Sequence, residues 1–358
     1  MNRPKQPRRR HSAGLSLIEL MIALLIGTIL VMGLIQVFSA SRAAYQLSQG
    51  IARNQESARF ALDFLSRDLR MAGHAGCVND QSLLQADAAG TVTGGNIRSL
   101  FLSDDDRNNN NLAALPFPLR FDVAVQGFEA NDTGPGQSID LATTPAAGAA
   151  DDWSPQLPVA LSGLGAISGS GINVLRYFSP EQAPVTGLTW SSPTVIQYPA
   201  ASGAVATGGS GLFALADCNG ATVFQASAAP TSTQMNVSVS GLNASDMGTV
   251  TAQDGAVTYK AGGATLYRAE SIAYYVALNA ENVPALYRAR WTAAPGAAAL
   301  NAPVREELVE GVESLQLLFG EDENNTNLAL PPLGHITKTN TAATIGDLAN
   351  AGRWRRVG

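Results

Sequence analysis

The sequence is poor in the residues that most often carry catalysis or hold a metal ion. It has three histidines, His11, His74 and His335, which are too far apart along the chain to suggest a metal site or a catalytic triad. Neither of its two cysteines belongs to a C-x-x-C pair, and no G-x-S-x-G or phosphate-loop pattern is present. These absences exclude the common hydrolase, redox and nucleotide-binding signatures and predict a protein that is not an enzyme.

Charged residues are also few, at 15%, whereas hydrophobic residues make up 46% of the 358 residues. This composition is typical of a globular protein and excludes a mainly disordered chain. The formal net charge is -6, and a cluster of basic residues stands before the first apolar run, at Arg3, Lys5, Arg8, Arg9 and Arg10. The remainder is therefore more acidic still, which argues against a nucleic-acid partner. The cluster is typical of a segment retained in the cytoplasm, or of the basic start of a signal peptide.

One long apolar run, from Leu20 to Ser41, contains no charged residue. A helix needs about 20 apolar residues to cross a bilayer, so this run predicts a membrane span. An ordinary secretory signal has a shorter apolar core followed by a small-residue cleavage site. Here the small pair, Ala13-Gly14, comes before the apolar run.

The apolar pattern continues beyond Arg42 with the spacing of one helix face. It predicts one helix from about Leu15 to Ala72, about 87 Å long at 1.5 Å per residue, ended by Gly73 and Gly76. The apolar face consists of Leu47, Ile51, Ala58, Leu62, Leu65 and Leu69, and we expect it to pack on a domain. The polar positions are Arg53, Asn54, Glu56, Arg59, Asp63, Arg67, Asp68 and Arg70.

Glu19 is a carboxylate at the start of the apolar run, and such a charge is costly in hydrocarbon without a partner. It either sits at the level of the lipid headgroups or pairs with a cation at the same depth. Cleavage after Gly14 would create such a cation, the α-amino group of Leu15, on this helix or on a neighbour's.

Cys77 and Cys218 both follow the apolar run, so a membrane span with its basic end inside would place them in an oxidising compartment. A bridge between them would stabilise the fold by up to roughly 5 kcal/mol in the chain-entropy model. The alternative is two unpaired buried thiols.

Short β-rich runs bounded by turn residues follow the predicted helix. The runs "INVLRYF", "SIAYYVAL" and "SLQLLFG" predict an antiparallel sheet that packs on the apolar stripe of the helix, in an α+β fold with long loops.

The best metal candidate is the segment "SDDDRNNNN", in which Asp104, Asp106, Asn108 and Asn110 alternate like oxygen ligands of a calcium loop. Asn109 stands where an EF-hand has Gly, and Leu115 where it has Glu. "GEDENNTN", residues 320–327, is a second acidic turn. A solvated polar turn is the alternative at both places, and no cofactor is predicted.

The stretch "GLSLIELMIALLIG" resembles the class III signal of type IV prepilins and pseudopilins. The resemblance implies that prepilin peptidase cuts between Gly14 and Leu15 and methylates the new terminus at Leu15. It also implies that Glu19 pairs with the N-terminal amine of the adjacent subunit. Leu15 departs from the Phe that is usual at the first mature position.

Later segments resemble the type IV pilus assembly protein PilW family, a group of large minor pilins. These segments are "ARFALDFLSRDLRMAGHAGC", "INVLRYF", "ALADCNGATVFQAS", "ESIAYYVAL", "ALYRAR" and "ELVEGVESLQLLFGED". His74 stands where an aromatic residue is common. The family often continues past a segment like "NAGRWRRVG", so the C-terminus is expected to be truncated or divergent.

The resemblance implies a type IV pilin-like fold in four parts: a leader at 1–14, a transmembrane and polymerisation half-helix at 15–41, an amphipathic half at 42–75 and a periplasmic β-rich domain at 76–358. The protein would be a single-pass inner-membrane minor pilin with its N-terminus in the cytoplasm, and it would act in a priming or tip complex and could enter the fibre. Its implied partners are other minor pilins, the major pilin, prepilin peptidase, the inner-membrane assembly platform and a tip adhesin. The alternatives are a type II secretion pseudopilin and a membrane-anchored periplasmic enzyme or binding module with an uncut anchor.

Overall fold

Two compact units divide the chain, Met1–Glu56 and Ser57–Gly358. The structure is a computed structural model, and it describes residues 16–78, 97–109, 111–139, 143–200, 202–205, 209–248, 259–322, 335–348 and 351–357.

The dominant element of the N-terminal region is helix α1, Leu17–Leu69, which is 53 residues long. It confirms the predicted continuous helix. Backbone turns over residues 70–73 end it, and Gly73 and Gly76 have φ values of 75° and 76°, a left-handed conformation that favours glycine. Within the part of the chain that the structure describes, α1 is the one helix long and apolar enough to cross a membrane, with a mean hydropathy of 2.6 in its most apolar window.

The second unit is built mainly from β-strands. Short helical turns at Asp104–Asn108, Val159–Ser162, Ala342–Ile345 and Ala351–Trp354 connect or follow them. The strands are β1 Ile97–Ser99, β2 Val125–Ala130, β3 Trp153–Ser154, β4 Ile172–Pro184, β5 Gly187–Thr189, β6 Thr194–Gln197, β7 Leu212–Ala216, β8 Ala221–Gln225, β9 Gln234–Val237, β10 Thr265–Leu278, β11 Pro284–Arg290, β12 Val304–Glu310, β13 Phe319–Asp322 and β14 Ile336–Asn340.

Nine of these strands form the main sheet, in the order β1-β8-β7-β10-β4-β2-β3, with β11 paired to β10 and β12 paired to β11. All its pairs are antiparallel except β1 with β8. Strands β5-β6-β9 form a second sheet, and β13-β14 a third. The long helix and the mixed, mostly antiparallel sheet confirm the predicted α+β, pilin-like fold. The parallel pair is a departure from the predicted antiparallel sheet.

The prediction of a strand at "SLQLLFG" is mostly wrong, because residues 312–318 belong to no strand and β13 begins only at Phe319. The backbone N–H of Leu315 donates to Ser170 Oγ (2.9 Å), and the N–H of Gly171 donates to the Leu315 carbonyl (2.7 Å). The segment therefore crosses the chain just before β4 and is held there by these two hydrogen bonds, without the regular pairing of a β-strand.

The end of α1 packs on one face of the sheet within the second unit. Ala61 and Leu65 belong to the same buried cluster as Leu175 of β4 and Ile272 of β10. Burying a leucine side chain contributes about 2 kcal/mol, so Leu65 is a main apolar anchor of the helix end.

Candidate assembly interface

The first turn of α1 carries Glu19, the carboxylate that the sequence singled out. Glu19 Oε2 accepts a hydrogen bond of 3.2 Å from the backbone N–H of Ser16, which immediately precedes the helix. This contact is the return half of a capping box, and the positive end of the helix dipole also favours a carboxylate there. Gly14 and Leu15, the predicted cleavage and methylation site, lie outside the described residues. In the single chain, Glu19 therefore has a local donor.

The apolar surface of the first unit is uncovered in the single chain. Every described side chain from 16 to 56 is exposed, except for the partly covered position of Gly27. A shallow apolar groove surrounds Gly27, and an added Cβ there would meet no atom within 4 Å. The hydroxyl of Thr28, which also lines the groove, donates to the Leu25 carbonyl at 2.8 Å, so the groove presents almost no free polar group. An apolar surface of this kind requires lipid or other helices.

Of the six positions in the apolar stripe that the sequence predicted, α1 buries only Leu65, and it also buries Ala61, which was not among them. Leu62 is 64% exposed, whereas Ala61 and Leu65 are 8% and 6% exposed. Asp68, assigned to the polar positions, is in fact buried. Its phase with Ala61 and Leu65, at spacings of seven and three residues, is the signal that could have placed it on the buried face.

Asp68 is held by two groups of the sheet. Tyr274 of β10 donates its hydroxyl to Asp68 Oδ2 at 2.5 Å, and Arg288 Nη1 of β11 lies 3.1 Å from the same oxygen. Arg288 Nη2 also reaches Glu306 of β12 at 2.7 Å. Burial, and then the hydrogen bond to Asp68 and its charge, raise the pKa of Tyr274, so its phenol stays protonated and donates. Burial opposes the charge of Arg288, but Glu306 and Asp68 outweigh it and raise the pKa of Arg288.

Cys77 and Cys218 form a disulfide, with their Cα atoms 4.5 Å apart. The bridge confirms the predicted pairing and ties the segment after α1 to the turn between β7 and β8. The same segment is bound to β4: the Phe178 N–H donates to the His74 carbonyl (2.8 Å), and His74 Nδ1 lies 2.8 Å from the Phe178 carbonyl. Covalent and hydrogen bonds thus both hold the exit of the helix.

The last described residues close over the same face of the sheet. Trp354 is 1% exposed and packs edge-on against Phe319, with ring centroids 5.1 Å apart. On one side of it, Arg353 Nη2 lies 2.9 Å from a carboxylate oxygen of the buried Glu321. On the other, Arg355 Nη2 lies 2.7 Å from Asp122 Oδ2. The sequence alone could not predict the ion pairs of Arg353 with Glu321 and of Arg355 with Asp122, because the partners are distant along the chain.

Asp122 lies between two arginines, since Arg120 Nε donates to its Oδ1 at 2.7 Å while Arg355 reaches Oδ2. Burial by itself raises the pKa of Asp122, but the hydrogen bonds and charges of Arg120 and Arg355 outweigh it and lower the pKa to about 2. The carboxylate is therefore ionised at any physiological pH and anchors the C-terminal segment.

The calcium hypothesis has no support from the described geometry. Asp104 and Asp106 lie in the short helix Asp104–Asn108, where alternate residues do not converge as they do in a calcium loop. Asp104 pairs with Arg107 at 2.6 Å, and Asp106 accepts bonds from Ser103 Oγ and Asn111 Nδ2, which lower the pKa of Asp106. No group of three or more His, Cys, Asp or Glu side chains placed for a metal occurs among the described residues. Asn110 and residues 323–327 of the second acidic turn lie outside those residues.

Two family models match the chain, at its two ends. The model described as "Prokaryotic N-terminal methylation motif" matches residues 9–35, and the model described as "Type IV Pilus-assembly protein W" matches residues 273–357. No curated protein and no solved structure matches the chain. The first match covers the start of α1 with Glu19, and the second covers the strands that supply Tyr274 and Arg288. Together with the long apolar helix, the two matches fit a single-pass, membrane-anchored pilus component that is similar to minor pilins of the PilW family.

Proposed function

We propose that this chain is a structural minor pilin, not an enzyme, and that it acts in a priming or tip complex of a type IV pilus. One observation carries the proposal: a prepilin-type methylation motif covers residues 9–35 and leads directly into an uncovered apolar helix with a carboxylate in its first turn. A membrane anchor alone needs an apolar helix but does not need that carboxylate.

In this proposal, prepilin peptidase removes residues 1–14 and methylates Leu15. Before the cut, Glu19 has the backbone N–H of Ser16 as its local donor. After the cut, the new α-amino group of a neighbouring subunit offers a cation, which is a stronger partner in a poorly solvated environment. Cleavage and competence for assembly would thus be coupled through one carboxylate.

The proposed orientation places the basic leader in the cytoplasm and the β-rich domain in the periplasm. The positive-inside rule supports this topology, because the basic cluster precedes the span. The disulfide supports it independently, since such bonds persist in oxidising compartments. The proposed partners are other minor pilins, the major pilin, prepilin peptidase, the inner-membrane assembly platform and a tip adhesin.

Processing is tested by mass spectrometry of the protein extracted from membranes of a piliated host. We expect a mature chain that begins with N-methylated Leu15. Gly14→Val should block the cut, and the neighbouring Ala13→Val serves as the matched control that should still be cut. An intact Met1 terminus in the wild-type membrane protein, or a cut elsewhere, would favour an uncut periplasmic binding module instead.

The role of Glu19 is tested by co-purification with the other pilins of the host. Glu19→Ala should still be processed but should fail to recover its partners, whereas Glu56→Ala, which removes an exposed carboxylate farther along α1, should recover them. Normal recovery with Glu19→Ala would refute the pairing role. Recovery of type II secretion pseudopilins in place of pilins would overturn the assignment to a type IV pilus.

A further inference from the structure

The apolar surface at the end of α1 is wider than the strip that the sheet covers. At about 100° per residue, Leu65 lies about 40° from Ala61 around the helix axis, and Leu62 and Leu69 lie about 100° and 80° from it on the same side. The sheet covers Ala61 and Leu65, while Leu62 is 64% exposed and Leu69 is 38% exposed. Phe60, about 100° away on the opposite side, is 51% exposed.

Apolar contacts are not directional, so a wide apolar surface allows the helix more than one rotational setting on the sheet. Rotation by about 80° would bring Leu62 and Leu69 to the centre of the contact and would keep Leu65 in it. In exchange, the rotation would withdraw Ala61 and also Phe64, which packs partly buried against the same cluster, so apolar burial alone does not select one of the two settings. Another interaction is needed to select it.

Asp68 lies about 20° from Ala61, on the side opposite Leu65, and is 7% exposed. Rotation of the helix would withdraw its carboxylate from Tyr274 and Arg288. The Tyr274 side chain is fully buried, and among the described residues its hydroxyl has one other acceptor, the Phe64 carbonyl of α1, at 3.2 Å. A buried donor that loses its acceptor costs more free energy than an average hydrogen bond contributes. In the second setting, the Tyr274 hydroxyl would therefore lose its acceptor, and the partly buried Arg288 guanidinium would keep only Glu306 as a carboxylate partner.

We propose that Asp68 is the residue that fixes the rotational setting of the end of α1 on the sheet and so keeps the flank of Leu62 and Leu69 facing outward. The assignment concerns specificity more than net stability, because a buried charge pair often contributes little to stability while a single buried polar group can select one register. It goes beyond the proposed function and stands without it, since it concerns packing within the second unit alone.

The proposal is tested by measuring which helix face is accessible in the full chain, solubilised in detergent. Both native cysteines are in the disulfide, so one introduced cysteine is the only free thiol under non-reducing conditions. We place it at position 61 or 62, by Ala61→Cys or Leu62→Cys, and measure its rate of reaction with a maleimide. From the exposed fractions of 8% and 64%, the thiol at 62 should react about eightfold faster than that at 61.

Asp68→Ala should make the thiol at 62 react more slowly and the thiol at 61 more rapidly, so that the ratio approaches one or inverts. Asp63→Ala is the matched control, because Asp63 is an exposed carboxylate on the same helix, and its ratio should stay at the wild-type value. If Asp68→Ala only loosened the helix, both thiols would react faster, and the proposal would be wrong. An unchanged ratio would overturn it equally, since apolar packing and the bonds at the helix exit would then hold the setting without Asp68.

Discussion

The Cys77–Cys218 bridge offers the largest single perturbation whose magnitude follows from the structure. It joins residues 141 positions apart, and chain-entropy reasoning for a loop of that length gives about 5 kcal/mol at 25 °C. Both cysteines lie at exposed positions, so serines there would bury no hydroxyl and leave no core cavity. The double variant Cys77→Ser, Cys218→Ser should therefore report the loss of loop closure with little else.

A unit of this size shifts its melting temperature by about 2 °C per kcal/mol, so the double variant should melt about 10 °C below the oxidised wild type. Thermal unfolding of the full chain in detergent, followed by circular dichroism of the sheet, measures the shift. Wild type treated with reductant should melt with the double variant, and reductant should leave the double variant unchanged. A loss below about 1 kcal/mol would refute the reasoning, because contacts that persist in the unfolded chain would then already close the loop.

Three further predictions concern the C-terminal anchor and the apolar helix. Because the pKa of Asp122 is lowered to about 2, its contribution of about 2 kcal/mol is complete above about pH 4 and is lost as the pH falls through 2. Arg355→Met should move this acid destabilisation, measured by urea unfolding, to higher pH, and an unmoved profile would contradict the assigned cause. Trp354→Ala should lower the free energy of unfolding by about 3–5 kcal/mol in the same assay. The substitution removes the contact with Phe319 and the hydrogen bond from the indole N–H to the Gly346 carbonyl. A loss below about 1 kcal/mol would show that the C-terminal segment does not anchor the fold. Gly27→Leu should leave the melting temperature unchanged, because a Cβ added at this position meets no atom of the single chain within 4 Å. It should reduce the recovery of partner pilins, because small residues allow helices to approach closely. Full recovery would show that Gly27 does not lie in a contact between helices.

Most of the fold could be predicted from local patterns, because an uncharged apolar run and β-rich segments report directly on what a backbone can bury. The sequence patterns could not predict which face of α1 packs on the sheet. Leu62 and Leu69 are seven residues apart and Ala61 and Leu65 are four apart, and both spacings are typical of one helix face, so periodicity alone cannot rank the two overlapping stripes. The choice depends on Asp68, whose partners are more than 200 positions away in the sequence.

In the candidate site as well, the features that depend on local sequence could be predicted, whereas those that depend on the folded backbone and its contacts could not. Glu19 was recognisable because an isolated carboxylate contrasts with its apolar neighbours. The disulfide was predictable because both cysteines follow the predicted membrane span and would therefore lie in an oxidising compartment. The calcium hypothesis was drawn from local alternation, but Ser103 caps the segment as a short helix, and Arg107 and Asn111 take up the carboxylate oxygens. A repeat of oxygen-bearing residues indicates a metal loop only if the backbone turns so that their oxygens converge on one point.

The segment that matches the PilW model, residues 273–357, also supplies much of the surface on which α1 ends. Tyr274 and Leu286 come from its first two strands, and Trp354 comes from its last turn. All three share one buried cluster with Ala61 and Leu65 of the helix. A sheet that only needed a stable core could present apolar residues alone at this place, yet it presents a phenol and a guanidinium that require an acid on the helix. The matched segment therefore determines the rotational setting of the end of α1 on the sheet, and it also buries the apolar residues of that helix end. Its strands and the helix end have to be considered as one structural unit when either is altered.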